Sequence, residues 1–109
     1  MVTEESPVFH AVADRTRRAI LDRLRNGPQA VQSIAERFEI SRPAISKHLR
    51  VLLDAQLVTG TQEGRQHIYQ LNPQPLQELD RWLRQYRELW TMNLRSLKAH
   101  VEAKVRKPQ

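Results

Sequence analysis

Residues 31 to 54 carry two short amphipathic segments joined by a tight connection, and no other feature restricts the fold as much. The first segment predicts a helix from about Val31 to Phe38, because its apolar residues recur at spacings of three and four. A second helix is expected after Ser41, a natural N-cap, with Pro43 in the first turn, where its missing N–H costs nothing. Two short helices joined in this way are typical of a helix-turn-helix.

The second predicted helix has one apolar side and one polar, basic side. The apolar stripe consists of Ile45, Leu49, Leu52 and Leu53. The opposite side carries Arg42, Ser46, Lys47 and Arg50. An outer face of this kind has two interpretations: a solvated surface, or a surface that enters a groove of DNA.

After this helix the hydrophobic period changes to that of a strand. Residues 57–61 are typical of a first strand, and residues 65–71, RQHIYQL, alternate as a second strand would. Glu63-Gly64 between them is a hairpin signal. A helix-turn-helix followed by a β-hairpin is the winged-helix arrangement, and we expect Gln62 to Gln66 to form the tip of the wing.

Two helices are predicted before this unit. Ser6-Pro7 begins the first, since Ser is a good N-cap and Pro fits the first turn. Asp14 caps the second, which Asn26-Gly27-Pro28 ends. The fold class expected is therefore mainly α with a small β-hairpin: a winged helix-turn-helix core over about residues 7–72.

A long C-terminal helix completes the prediction, because nothing from Pro75 to Lys107 breaks a helix. Its apolar residues fall within a sector roughly 160° wide. At 1.5 Å per residue the helix runs about 45 Å, longer than a core of this size spans. A partner is needed to cover the stripe, and an identical chain is the simplest one. We therefore expect one domain over residues 1–109, with about 73–107 as the dimerisation helix.

Asn93 interrupts the apolar sector between Trp90 and Leu97. One interpretation is an amide that is bonded locally or lies at the edge of the sector. The other is a buried pair of amides that fixes the register of a dimer, as polar core residues do in coiled coils.

Composition narrows the class of protein. The net charge is +6 with a pI near 10.5, which favours polyanionic partners or a solvated basic surface. There is no cysteine, so disulfides, thiolate metal sites and cysteine nucleophiles are excluded.

No apolar run approaches a bilayer span and MVTEESP lacks a signal-peptide core, so we expect a cytoplasmic protein without membrane contact. The catalytic motifs sought, including Gly-rich phosphate loops, His-Glu-x-x-His and nucleophile elbows, are not found, and no enzyme is predicted.

Three stretches together resemble the ArsR/SmtB family of bacterial winged-helix repressors: VFHAVADRTRRAILDRL, SIAERFEISRPAISKHLRVLLDAQLV and EGRQHIYQL. The resemblance covers about residues 7 to 72. It implies a homodimer in which the first and last helices pack across a two-fold axis. The implied interface comprises Val8, Phe9, Val12, Leu79, Trp82, Leu83, Tyr86, Trp90, Asn93, Leu94, Leu97 and Val101.

The chain departs from the metal-sensing members of that family. Where they carry Cys-x-Cys in the helix before the turn, this sequence reads AVQSIAERF. Asp80 has no His two residues later, and His100 is the only His on the last helix. The aromatic last helix is similar to a metal-independent branch, so neither a metal nor a cofactor is predicted.

The candidate DNA surface follows from how such a helix docks. The N-terminal half of a recognition helix penetrates deepest, and here it carries Ser41, Arg42, Pro43, Ser46 and Lys47. Base-edge contacts are expected first from Arg42 and then from Ser46. Arg42 has two interpretations, a contact with guanine or a contact with a phosphate. The resemblance to the family implies that His48 contacts base edges, and the alternative is that His48 packs beside the buried Leu49. Phosphate contacts are expected from Lys47 and Arg50, and from the start of the preceding helix, where the backbone amides with Gln32 and Ser33 cap a phosphate. On the wing, Arg65 with Gln66 beside it is expected to reach the minor groove or its flanking phosphates, and the alternative for Arg65 is a plain hairpin charge.

We therefore predict a homodimeric repressor that binds an imperfect inverted repeat in double-stranded DNA and occludes a promoter, with its own gene as one target. The alternative is a dimeric protein-interaction module on a winged-helix scaffold without specific DNA binding. A small apolar effector between Trp82, Tyr86 and Trp90 is a further possibility, although such aromatic spacing is more often core or interface. The sequence identifies neither the operator nor an inducing signal.

Overall fold

In the computed structural model of the protein, residues 6–106 are described. The first two helices are α1 (Pro7–Val12) and α2 (Arg15–Leu24). Ser6 caps α1, where its hydroxyl accepts the Phe9 N–H at 3.4 Å, and Asp14 caps α2, where its carboxylate accepts the Arg17 N–H at 2.9 Å. Both predicted N-caps are thus confirmed.

The predicted helix-turn-helix is formed by α3 (Val31–Ala35) and α4 (Arg42–Asp54). The prediction was wrong about the end of α3, which stops three residues before Phe38. The Arg37 N–H bonds to the Ile34 carbonyl and the Phe38 N–H to the Ala35 carbonyl, so the chain tightens into i→i+3 turns instead of adding a helical turn. Helix α3 is therefore shorter than the apolar spacing indicated.

The end of α4 is a Schellman motif that turns the chain toward the hairpin. Gln56 adopts a left-handed φ of 61°. Its N–H bonds to the Leu53 carbonyl at 2.9 Å, and the Leu57 N–H bonds back to the Leu52 carbonyl at 3.0 Å. The Asn72 side chain donates to the Gln56 carbonyl at 2.9 Å, so this turn is also fastened to the end of the hairpin.

The sheet has three antiparallel strands in the order β1-β3-β2: β1 (Gln29–Ala30), β2 (Val58–Glu63) and β3 (Gln66–Leu71). The hairpin is confirmed, but Glu63 pairs with Gln66. The turn itself is therefore only Gly64-Arg65, and much of the predicted tip belongs to the ladder. Gly64 has a φ of 63°, as required at the first central position of a type II′ turn. The sequence did not predict β1, which pairs with Tyr69 and Ile68 of β3.

The core of the unit that ends at Glu78 lies between its helices and the sheet. Helices α1, α2 and α4 pack against one another, and α3 packs against α4 and β3. The buried apolar side chains are Val8, Ala11, Ile20, Leu21, Leu24, Ile34, Ile45, Leu49, Leu52, Ala55, Leu57, Val58 and Tyr69. Because α4 supplies three of these, its orientation is fixed by the core while its other side remains free to bind.

The last element is α5 (Leu76–Arg106), a continuous helix of 31 residues, as predicted. It is about 46 Å long at 1.5 Å per residue. The chain forms two compact units, one ending at Glu78 and the other beginning at Leu79, so the boundary falls inside this helix. No helix within residues 6–106 is long and apolar enough to cross a membrane.

Candidate nucleic-acid interface

Helix α4 has one side in the core and the other in solvent. Ile45, Leu49 and Leu52 are at most 1% exposed. The side chains predicted to face DNA are all exposed: Arg42, Ser46, Lys47 and Arg50. The structure thus brings these four residues to one accessible face of a single α-helix, and the major groove of B-DNA is wide enough to admit such a helix.

At the start of α4, Ser41 serves the helix itself. Its hydroxyl accepts the Ala44 N–H at 3.2 Å, which satisfies one of the first-turn donors. Pro43 is exposed in the first turn. Ser41 is therefore occupied as a cap, and only its remaining lone pair and its hydroxyl proton can turn toward a ligand.

The basic residues of α4 differ in their surroundings. Nε of Arg50 lies 3.3 Å from Oδ1 of Asp54 in an exposed i,i+4 ion pair. Lys47 has no ion pair within residues 6–106. Because an exposed ion pair of this kind contributes little to stability, Arg50 can leave Asp54 and bind a phosphate. Lys47 has no ion pair to break before it binds one.

His48 is half-buried and points into a polar cluster at the junction of three helices. Its Nδ1 lies 3.2 Å from Nη1 of Arg17 and 3.8 Å from Oδ2 of Asp14. The Arg17 backbone N–H that donates to Asp14 lowers the pKa of that carboxyl, assisted by the positive charge of Arg17. These contacts support the packing alternative for His48, and a role for it in DNA contact stays a prediction.

The wing and the start of α3 present further exposed polar side chains. Gln32 and Ser33 lie in the first turn of α3, Arg65 in the hairpin turn and Gln66 at the start of β3. A small cavity of about 40 Å³ brings several of these together; its lining includes Gln32, Arg42, Arg65, Gln66 and His67. Two residues assigned separately from the sequence, Arg42 and Arg65, thus line one site.

Comparison with known proteins gives this surface its context. A family model described as a helix-turn-helix domain matches residues 12–61. The HTH-type transcriptional regulator Rv2034 of Mycobacterium tuberculosis is 47% identical over 81 residues, covering 72% of this chain and 76% of the relative. The transcriptional repressor SdpR of Bacillus subtilis is 42% identical over 76 residues, covering 70% and 84%. The solved structure of an ArsR-like transcriptional regulator from Rhodococcus sp. RHA1 has a TM-score of 0.69 at 34% identity, and the match covers 89% of each chain.

The chain belongs to the ArsR/SmtB family. It is a winged-helix, DNA-binding transcriptional regulator and not an enzyme. The resemblance read from the three sequence stretches is therefore confirmed, as are the winged-helix fold class and the general function.

Two residues of this ArsR/SmtB regulator that sequence reasoning left out of the site are close to it. Arg17 contacts His48 on the recognition helix α4. His67 lines the cavity with Arg42 and Arg65, and its ring packs edge-on against Tyr69 at 6.1 Å between centroids. The sequence offered one signal for His67, which is its position two residues after Arg65 on the wing strand. It offered no signal for the contact between Arg17 and His48.

The second unit of the regulator carries an exposed apolar helix face. Leu89, Trp90, Leu94, Leu97, Val101 and Val105 are between 49% and 78% exposed. The rings of Trp82 and Tyr86 pack at 5.1 Å between centroids, with an interplanar angle of 55°. Of the residues predicted at the dimer interface, Val8 differs: it is 6% exposed within the chain itself, which leaves little surface for a partner.

Within residues 6–106, no three His, Cys, Asp or Glu side chains form a group that could hold a metal ion.

Proposed function

We propose that this ArsR/SmtB regulator binds an imperfect inverted repeat as a homodimer and represses transcription by occluding a promoter. The observation that carries the proposal is the division of α4, whose inner side chains are buried in the core while Arg42, Ser46, Lys47 and Arg50 are exposed together. A fixed helix with an accessible polar and basic face fits the major groove, and Arg65 on the wing adds a second point of attachment.

The exposed face of α5 supports the dimer. Seven large apolar side chains from Leu89 to Val105 lie in solvent along a single helix, and all but Met92 belong to its apolar face. Contiguous apolar surface of this kind marks an interaction site, and most soluble homo-oligomers are two-fold symmetric. A second copy of α5 is the partner that matches this face without requiring another protein.

A two-fold dimer determines the form of the operator. It presents two copies of α4, so the two half-sites must be inverted relative to each other. Their centres are expected about one helical turn, roughly 10–10.5 base pairs, apart on one face of the duplex. The region upstream of the regulator's own gene is the first operator to test.

Within each half-site the residues have separate tasks. Ser46 lies on the exposed face one helical turn after Arg42 and is assigned to base edges. Lys47 and Arg50 are assigned to phosphates, as are Gln32 and Ser33 in the first turn of α3. A DNA contact by His48 is assigned to Nε2, since only Nδ1 of this ring has a partner within residues 6–106.

The direct test is a titration followed by fluorescence anisotropy. The purified protein, with chelator present and salt fixed, is titrated against labelled duplex from its own upstream region and against a scrambled duplex. A preference of about a thousandfold for the upstream duplex is expected of a specific regulator. Equal affinities would refute autoregulation and leave two alternatives, an operator elsewhere in the genome or a protein that coats DNA without specificity. Absence of binding to either duplex would favour a protein-interaction module and refute the proposal.

The assigned tasks are tested with two neighbouring substitutions on α4. Lys47→Ala should weaken binding to both duplexes by about the same factor, because phosphates are common to every sequence. Ser46→Ala should weaken binding to the upstream duplex more than to the scrambled one and so reduce the specificity ratio. If both substitutions reduce the two affinities in the same proportion, Ser46 does not read bases.

The dimer is tested by sedimentation velocity with a matched pair of substitutions on α5. Leu97→Glu places a carboxylate on the exposed apolar face and should shift the protein toward monomer. Ala99→Glu adds the same charge nearly opposite on the helical repeat and should leave the oligomer unchanged. A dimer unaffected by Leu97→Glu would show that this face is not the interface.

A further inference from the structure

The cavity between the recognition helix and the wing has an unusual lining. It is about 40 Å³ in volume and is lined by residues from the starts of α3 and α4, from the hairpin turn and from β3. The side chains that supply its polar groups are Gln32, Arg42, Arg65, Gln66 and His67, and each of them is exposed. Three separate parts of the fold therefore present polar groups to one place that is open to solvent.

The lining is rich in hydrogen-bond donors and contains no carboxylate. Two guanidinium groups contribute up to five N–H donors each, and the two glutamine amides contribute more. Within residues 6–106 neither Arg42 nor Arg65 has an acceptor or an ion pair for its guanidinium. Two uncompensated cations of this kind are arranged to receive an anion.

The size of the cavity limits what can enter it. Pockets that enclose small-molecule ligands measure about 300–1,000 Å³, so this one is too small for a nucleobase or an organic effector. It is larger than the roughly 10–15 Å³ that one water requires on the same kind of measure. The oxygens of a phosphate group that remains attached to something outside the cavity fit both limits.

We propose that this cavity binds a single backbone phosphate of the operator, held jointly by Arg42 of the recognition helix and Arg65 of the wing. The inference rests on the proposed function, since it names one ligand of the same DNA surface. It assigns Arg42 to a phosphate and not to guanine. Bidentate guanidinium groups suit phosphate oxygens, and two of them on one phosphate fix the helix and the wing in register on the duplex.

The position of Arg42 on α4 supports DNA as the source of the phosphate. Arg42 and Ser46 are separated by four residues and therefore lie on one side of the helix. A phosphate at the cavity is then one helical turn along α4 from the residue assigned to base edges. A duplex that reaches Ser46 with its bases can thus reach Arg42 with its backbone.

The test counts phosphates through the salt dependence of binding. Affinity for the labelled upstream duplex is measured by anisotropy over a series of KCl concentrations, for the wild type, Arg42→Ala, Arg65→Ala and the double variant. The logarithm of affinity falls with the logarithm of salt by about 0.9 for each phosphate neutralised. If the two arginines share one phosphate, the double variant should flatten that slope by about 0.9 in total.

The matched control is Lys47→Ala combined with Arg50→Ala. Neither residue lines the cavity and each is assigned to a phosphate of its own, so this pair removes two phosphates and should flatten the slope by about 1.8. Arg42→Ala should also weaken the upstream and scrambled duplexes by the same factor, of the order of tenfold. Thermal melting of each variant checks that the fold persists.

The outcomes separate this proposal from the function on which it rests. A slope loss near 1.8 for Arg42→Ala with Arg65→Ala means two separate phosphates and overturns the shared site, although DNA binding stands. An unchanged slope, or a loss confined to the upstream duplex, also overturns it. If the wild type shows no salt-dependent binding to either duplex, the proposed function fails and the shared phosphate fails with it.

Discussion

The guanidinium of Arg17 lies 3.2 Å from Nδ1 of His48 and thereby joins α2 to the middle of the recognition helix. The same guanidinium donates to the carbonyls of Ala11 at 2.8 Å and His10 at 3.0 Å, at the end of α1. Since a guanidinium has no acceptor, this contact is a hydrogen bond only in the tautomer whose Nδ1 accepts and whose ring proton is on Nε2. One side chain therefore fixes the mutual position of α1, α2 and α4 and contacts a histidine beside the candidate DNA surface.

We expect Arg17→Met to lower the free energy of unfolding by about 2 kcal/mol, because it removes charge-assisted bonds and leaves two carbonyls and a ring nitrogen without their donor. Met retains the apolar stem, so the loss reports the guanidinium. Urea denaturation measures the change. Arg18→Met is the control: Arg18 donates to one carbonyl, that of Val12, and is exposed, so its loss should be about 0.5 kcal/mol or less. Equal losses would contradict the role of Arg17 as a junction.

The N-cap of α2 makes stability depend on pH. The Arg17 N–H that donates to Asp14 holds the pKa of this carboxyl below its usual 3.8, assisted by the nearby positive charge. The ionised cap therefore stabilises the fold fully above pH 3.8, and this contribution is lost as the pH falls through the lowered pKa of the folded state.

Asp14→Asn isolates that effect, because asparagine also caps helices but does not titrate. The difference in free energy of unfolding between wild type and Asp14→Asn should diminish on acidification below pH 3.8. Asp14→Ala, which removes the cap, should cost about 1 kcal/mol at neutral pH. A difference between wild type and Asp14→Asn that stays constant on acidification would mean that the carboxylate has no pKa shift on folding.

The features predicted correctly are those that short sequence segments determine. Ser6, Asp14 and Ser41 are caps because each side chain bonds to an N–H three residues later, and these signals can be read within one turn. The length of α5 was predicted because nothing interrupts its pattern between Leu76 and Arg106.

The features missed depend on contacts between distant parts of the chain. Strand β1 has two residues, and only its pairing with β3, about 40 positions away, makes it a strand. Arg17 and His48 are 31 residues apart, and no local pattern relates them. The cavity that joins Arg42 to Arg65 likewise exists only once α3, α4 and the hairpin have packed. Composition and spacing indicated which residues carry charge, but tertiary structure decides which of them act together.

Gln56 offers a stabilising substitution. It occupies the left-handed position after α4 with a φ of 61°, where a residue with a Cβ is strained by about 1–2 kcal/mol. Because Gln56 contributes only backbone groups to the hydrogen bonds of the Schellman motif and to its bond with Asn72, glycine preserves them. We expect Gln56→Gly to raise the free energy of unfolding by about 0.5–1 kcal/mol. Ala55→Gly, at the neighbouring right-handed position, should instead destabilise, and thermal melting compares the two. A loss of stability in Gln56→Gly would show that its left-handed conformation is unstrained.

Asn93 tests what the apolar face of α5 does in a dimer. Its amide is exposed and has no hydrogen bond within residues 6–106, which removes the local-bonding interpretation and leaves two alternatives, a position at the edge of the sector and the register hypothesis. We expect Asn93→Leu to strengthen association by about 1–3 kcal/mol while admitting other registers or oligomers, because the amide pair that excludes them is gone. Sedimentation velocity measures the distribution, and Ala99→Leu on the opposite side of the helix should leave it unchanged. If Asn93→Leu forms a single dimer as well defined as that of the wild type, Asn93 does not set the register, and the apolar stripe alone is sufficient to align the two helices.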